Sequence, residues 1–461
     1  MRMGLFKRAF AVAGLLVATL VGSAPAEAAG WKAGVAKVVI TPKQPMWMAG
    51  YAARTKPSEG VLHDLWAKAL VLQDPDGHTA ALVSLDICGI DRTLSDQIRD
   101  ALKEKHGLAR DRIVLACSHT HTGPVVKTNL ITMYPLDDEQ RRRVEEYAEF
   151  LRQAVIDVVG QAVKDVRPAD LAWNTGRADF AVNRRENRQD QVETLREQMA
   201  LKGPVDHDVP VLSVRGADGS LRAIVCGYAC HCTTLSFYQF SGDYAGFAQI
   251  DLEKAHPGAQ AMFVAGCGAD QNPLPRGTVT HAERYGRQLA DAVERVLSGP
   301  MRPISGSLRT AYEEIDLAFS EIPGRAHWEA EAQSKNFSQA NRARHLLKRL
   351  DTEGSLPTSY PYPVEVWQFG DDLTWIFLGG EVVVDYALRI KRNLGSSHTW
   401  VSSYCNDVMA YIPSLRVLKE GGYEGATSMI PYGQPAPWSE RIEEDIIKAV
   451  RRVVAAAKEK P

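Results

Sequence analysis

IVLACSHTHTGPVV, residues 113–126, runs from five apolar residues straight into two histidines one residue apart. A short run that is apolar at every position fits a strand covered on both faces. The histidine segment after it is either a polar loop or a pair of metal ligands, and the choice depends on whether the arrangement recurs. It does. RIVLAC leads into SHTHTGP, AIVCGYAC into HCTTL, AMFVAG into CGADQNP, LTWIFLGG into Glu381, and TWVSSYC into NDVMAYIPS. In α/β sheets the ligand crevice lies beyond the carboxyl ends of the strands. Five apolar strands that end in metal-competent or hydrogen-bonding residues therefore point to one shared site.

Strand and helix signals alternate from Trp31 to the end of the chain. ALVLQD and TAALVSLDI are further strand candidates, and residues 94–106, 138–165, 244–256, 281–297 and 439–458 read as helices. The pattern predicts a mixed α/β (α+β) fold of layered sheets flanked by helices, with a zinc site at the C-terminal ends of strands. WEAEAQSKNFSQANRARHLLKRLDTEG reads as a charged helical excursion packed on the outside. With no Ser/Gly linker, repeat or low-complexity tract, one domain over residues 29–461 is expected.

The first 28 residues read as a secretory signal peptide. Arg2, Lys7 and Arg8 precede an apolar run over residues 10–21, and Ala26-Glu27-Ala28 forms an A-x-A cleavage signal. A secreted or periplasmic protein, cleaved near Ala28, is expected. No later segment is apolar enough for a membrane span. The chain of 461 residues is 45% hydrophobic and 24% charged, enough for a large core. Its net charge of −2, with basic residues scattered among acidic ones, gives no reason to expect a nucleic-acid partner. Seven cysteines leave at least one thiol free. Most sit at the ends of apolar runs and read as small buried fillers, with one disulfide left open.

His119, His121 and His231 offer imidazole nitrogens, and Glu381 offers a carboxylate. Zinc takes such ligands tetrahedrally, and a catalytic site keeps one position for water. On an extended chain both side chains of H-x-H point to the same side. Both can bind, or one can bind while the other handles protons.

SHTHTGP resembles the T-H-T-H-S-G-P signature of the neutral ceramidases, zinc-dependent amidases that split ceramide into sphingosine and fatty acid. The likeness continues in order. GYACHCTTLSFYQFSGDYAGFA resembles F-A-x-H followed by S-D-N-x-G-Y-A, and AVNRRE resembles I-N-R-S-P. GGEVVVDYALRIKR is similar to P-G-E-F-T-T-x-x-G-R-R. CNDVMAYIPSLRVLKEGGYEGATSM is similar to N-x-Y-x-x-Y-I-T-T followed by Y-E-A-A-S-T. The resemblance implies one zinc ion held by His119, His231, Glu381 and Tyr411, with His121 beside it as the proton-handling group. It also implies that Arg184 contacts substrate and that Tyr423 donates to the developing oxyanion. Asp243, in SGDYAG, is expected to orient a ligand histidine, as carboxylates behind metal ligands do.

Two departures qualify the likeness. GADQNP stands where the family has G-D-V-S-P-N, so Asn272 replaces a serine and supplies a polar contact instead of a hydroxyl; this argues against a serine acyl-enzyme. The family also carries an immunoglobulin-like domain that is not expected here, so the likeness is expected to cover the catalytic domain only. The expected activity is zinc-dependent hydrolysis of an amide in a small or lipid-like N-acyl substrate, ceramide or a related compound. A lipid-like substrate leaves room for peripheral membrane contact. Two alternatives stand beside it: an ester or lactone hydrolase on the same site, and an exported binding protein with a vestigial site.

Overall fold

Strands that are apolar on successive residues need cover on both faces, and the computed structural model provides it with helices on one side and a second sheet on the other. Apart from Met1 it describes residues 30–459, so the expected signal peptide and its cleavage site lie outside the described residues. The larger sheet has nine strands. Eight run in the order Gln260–Ala265, Leu221–Tyr228, Asp208–Gly216, Arg167–Arg177, Lys32–Val39, Trp66–Gln73, Thr79–Leu85 and Ile113–Cys117, and Arg302–Ile304 pairs with Arg167–Arg177. The smaller sheet runs Leu308–Ala318, Ser359–Phe369, Leu373–Leu378 and Thr399–Ser402. The two sheets share a core that includes Trp31, Trp173, Trp367, Trp375 and Trp400, with Trp375 and Trp400 stacked at 3.8 Å. Aromatic side chains carry the largest apolar area per residue, so this interface is a main tie between the layers.

Helices Arg92–His106, Asp138–Lys164, Asp243–Ala255 and Val279–Leu297 cover the other face of the large sheet. Val384–Leu394 and Ile442–Glu459 cover that of the small one. Four layers result: helix, sheet, sheet, helix. Local signals fix the helix ends. Arg92–His106 starts at Asp91, whose side chain accepts from the Leu94 N–H, and stops at Gly107 with φ 68°, its last turn carrying Lys103, Lys105 and His106.

Parallel strands need a crossover, and three strand–helix–strand units supply the parallel pairs of the two sheets. Thr79–Leu85 and Ile113–Cys117 flank Arg92–His106; Leu221–Tyr228 and Gln260–Ala265 flank Asp243–Ala255; Leu373–Leu378 and Thr399–Ser402 flank Val384–Leu394. The first two units lie at opposite edges of the large sheet, yet their ends meet. Pairing between Lys32–Val39 and Arg167–Arg177 is limited to Lys32 with Pro168 and Ala33 with Arg167. The segments that follow Ile113–Cys117 and Leu221–Tyr228, from opposite sides of the sheet, meet where Thr120 bridges Cys232.

The charged excursion is helical, as read, and consists of two helices, Arg325–Glu331 and Phe337–Glu353. Asn336 starts the second by accepting from Gln339 N–H, and the pair closes on a small core of its own around Trp328 and Leu346. All seven cysteines are buried free thiols, which matches the filler reading and leaves no disulfide.

Candidate metal centre

The chains leaving the three crossover units converge on one buried point. His119 follows Ile113–Cys117 with Ser118 between them, His231 follows Leu221–Tyr228, and Glu381 follows Leu373–Leu378. His119 Nε2 lies 3.0 Å and His231 Nε2 3.2 Å from the same carboxylate oxygen, Glu381 Oε2. Two backbone carbonyls orient the rings: His119 Nδ1 lies 2.6 Å from Cys88 O, and His231 Nδ1 lies 2.7 Å from Gly268 O. A carbonyl only accepts, so each Nδ1 carries the proton and each Nε2 presents a lone pair to the centre. Two lone pairs and a carboxylate oxygen, all on residues at most 2% exposed, face one another with no donor of their own. A cation at their centre satisfies all three, so the donor set fits a metal ion.

In the protein alone the electrostatics favour a proton between His119 Nε2 and Glu381, at the place where a cation would stand instead. Burial works against charge on every member of the set, but the histidines hold the Glu381 carboxyl well below the usual carboxylate range. Glu381 in turn raises His119 against the effect of burial. Burial and the Arg184 guanidinium push His231 down to about 4, which keeps it a neutral ligand.

Backbone geometry at this point is unusual. His119 has φ 59°, so the H-x-H pair does not lie on the extended chain expected for it. The left-handed residue turns the chain, and the two imidazoles still meet, Nε2 to Nε2 at 3.1 Å. Tyr404, φ 58°, stacks on the His119 ring at 4.3 Å. Sparsely populated conformations of this kind persist where surrounding contacts over-determine them, often at functional sites. Gly380, φ 72°, has no room for a side chain, since a Cβ there would meet Ile412 at 2.7 Å. That turn sets Glu381 beside Tyr411 in a short parallel pairing of Glu381–Val382 with Tyr411–Ile412.

Tyr411 Oη stands 3.3 Å from His231 Nε2 and accepts from Arg184 Nη2 at 3.1 Å. The Arg184 Nε donates to Glu424 at 2.7 Å, and its Nη1 reaches Asn272 Oδ1 at 3.3 Å. Asn272 and Arg184 are brought together by pairing of Gln271–Pro273 with Ala181–Asn183. Tyr423 sits edge-on to Tyr411 at 5.2 Å between ring centres. His121 is buried, its Nδ1 has no partner, and Gly50 lies so close that a Cβ there would meet that nitrogen at 2.3 Å. Above these groups opens a cleft of about 690 Å³ lined by His121, Arg184, Asn272, Tyr411 and Tyr423.

Asp243 corrects its expected role. Its carboxylate accepts from the Leu235 and Tyr244 N–H groups at 2.8 and 2.7 Å, shaping the loop after His231, and orientation of the ligand rings falls to the carbonyls of Cys88 and Gly268. Tyr432, not singled out in the sequence, donates to Glu381 Oε1 at 2.5 Å and fixes the second carboxylate oxygen. A second donor group, Cys88 with His119 and His121, shares His119 but draws on a sulfur 3.7 Å from the nitrogen already held by Cys88 O.

Residues 31–273, just over half of the chain, match the family profile described as neutral/alkaline non-lysosomal ceramidase, N-terminal. Neutral ceramidases A and B of Dictyostelium discoideum are similar at 26% identity over 247 and 253 residues, half of this chain in each case. The matched stretches span 34% and 33% of those two relatives, about a third of their length. The crystal structure of neutral ceramidase from Pseudomonas aeruginosa superposes with a TM-score of 0.72 and covers 94% of this chain and 75% of that one. At 18% identity that likeness is one of fold.

Proposed function

Since the chain belongs to the neutral/alkaline non-lysosomal ceramidase family, we propose that it is an exported zinc-dependent hydrolase that cleaves the amide bond of an N-acylated substrate. The observation that carries this reading is the donor set itself: two imidazole lone pairs and one carboxylate oxygen aimed at a single buried point beneath an open cleft. His119, His231 and Glu381 would hold the ion, with Tyr411 as a weaker fourth ligand. A bound zinc ion supplies Lewis acidity that activates water and polarises a carbonyl at neutral pH.

The chain's own residues do the rest. His121 lines the cleft, its Nδ1 is buried without a hydrogen-bond partner, and burial together with the two neighbouring histidines holds its pKa well below the usual value. A neutral imidazole there takes a proton from water and returns it to the leaving amine. Tyr423 donates to the oxygen that gains charge as the carbonyl is attacked. Arg184 holds the Tyr411 hydroxyl in place and presents the rest of its fork to the polar end of the substrate. Asn272 adds a polar contact where a serine nucleophile would otherwise stand.

Purified protein is expected to contain about one zinc per chain and to hydrolyse members of a panel of N-acylated amines and amino acids. Turnover lost to a chelator and restored by zinc supports the reading. Turnover indifferent to chelation, or confined to O-acyl substrates, overturns it. Export as one catalytic unit rests on the A-x-A signal at Ala26–Ala28, and an N-terminus at Ala29 on protein recovered outside the cytoplasm checks it.

A further inference from the structure

We infer that the substrate carries a carboxylate on the amine side of the scissile amide, as in an N-acyl amino acid, and that Arg276 is the residue that selects it. This rests on the amide-hydrolase reading and specifies the substrate for the same site. The cleft over the donor set is lined by four guanidinium groups, Arg184, Arg185, Arg188 and Arg276, and by one carboxylate, Glu424. Glu424 is fully engaged: Oε1 accepts from Arg184 at 2.7 Å and Oε2 from Arg185 at 2.6 Å. Arg185 also reaches Glu420, and Arg188 pairs with Asp190, each at 3.0 Å.

Arg276 differs from these. Its Nε donates to the Gln189 side-chain oxygen at 3.1 Å and its Nη1 to the Thr233 carbonyl at 3.4 Å, both neutral acceptors. No carboxylate among the described residues lies within 4.0 Å of it, although it is only partly exposed on the cleft wall. A guanidinium has five N–H donors, so most of this fork is left for a ligand.

The position of Arg276 links it to the reaction. The Thr233 carbonyl that receives Nη1 also accepts from the Tyr51 hydroxyl at 3.3 Å, and the Tyr51 ring lies edge-on to His121 at 4.9 Å. His121 is the group that returns the proton to the leaving nitrogen. Arg276 thus stands on the side of the cleft that Thr233 and Tyr51 join to His121, and the amine-side substituent is assigned to that side. A neutral head group entering there displaces water from an uncompensated charge, which is costly. A carboxylate matches the fork with two parallel hydrogen bonds.

The test compares N-dodecanoylglycine with N-dodecanoylethanolamine, which share the acyl chain and differ in the carboxylate. Calorimetric binding to chelator-treated protein, below micelle-forming concentrations, reads affinity without turnover. The glycine conjugate is expected to bind about ten- to a hundredfold more tightly, the range for a charge-assisted pair. In Arg276→Gln that ratio falls to about one, and in Arg276→Lys, which keeps the charge without the fork, part of it survives. Equal affinities in the unaltered protein, no binding of the glycine conjugate, or a ratio unchanged in Arg276→Gln overturns the inference. Zinc-loaded protein that keeps the binding preference but cleaves neither conjugate overturns the amide-hydrolase reading instead.

Discussion

His119→Ala is expected to purify without bound metal and to show no amide turnover above background, whereas His121→Ala is expected to retain close to one metal per chain and to lose about 10²–10⁴ in rate. The two residues are neighbours in sequence and their Nε2 atoms lie 3.1 Å apart, yet their surroundings differ. His119 is pinned at Nδ1 by Cys88 O, stacked on Tyr404, and aimed at Glu381 Oε2 from 3.0 Å. Alanine there removes one of the three converging donors and leaves Glu381 facing His231 alone. His121 has no partner at Nδ1 and lines the cleft. Its loss would remove the proposed proton carrier from a site that keeps its three principal donors. Metal content by elemental analysis, read beside kcat/KM on one N-acyl substrate, separates the two outcomes. Equal loss of metal in both variants would make the pair joint ligands.

Glu365→Ala is expected to cost about 3–5 kcal/mol in unfolding free energy, the range for breaking a buried pair. Glu365 is fully buried, and burial pushes its carboxyl up to about 8. The side chains bonded to it are nevertheless donors: Trp367 Nε1 at 3.0 Å, Asn406 Nδ2 at 2.8 Å and Arg99 Nη2 at 3.3 Å. Alanine leaves Asn406 Nδ2 without its acceptor and strips one acceptor each from Trp367 Nε1 and Arg99 Nη2, which keep the carbonyls of Asp111 and Arg110. The damage reaches the centre through Asn406, whose side-chain oxygen accepts from Leu115 N–H and whose own N–H donates to Leu115 O. Leu115 lies on Ile113–Cys117, the strand that delivers His119. Urea titration measures the loss, and a midpoint unchanged from the unaltered protein would show that the cluster contributes nothing net.

Much of this was legible in the chain. Every strand that carries a site residue at its end is apolar on nearly every position, and the polar residues stand out against it. The strands with no clear sequence signal, among them Arg167–Arg177, Leu308–Ala318 and Ser359–Phe369, carry charges or prolines and are partly exposed along their length. The donors His119, His231 and Glu381 were readable because their side chains act directly. Tyr411 was reached only through the family resemblance, and Tyr432 not at all, since a tyrosine after a proline gives no local signal. The carbonyls of Cys88 and Gly268 carry no side-chain information, so the backbone's part in orienting the rings was invisible. The left-handed turn at His119 was hidden for the same reason.

The convergence of three crossover units also bears on how the protein is made. His231 and Glu381 are separated by 150 residues, and they come from different sheets. Neither edge of the large sheet holds a usable site by itself, and the small sheet contributes its carboxylate only once docked. Contacts so distant in sequence form late, after the entropy of closing long loops has been paid. Capture of the proposed ion would then read out completed assembly: a chain that has folded its parts but not joined them has no converged donor set to hold it. A ligand that binds only the joined state also favours it by mass action. For a protein read as folding after export, availability of the ion outside the cell then helps decide how much of it matures.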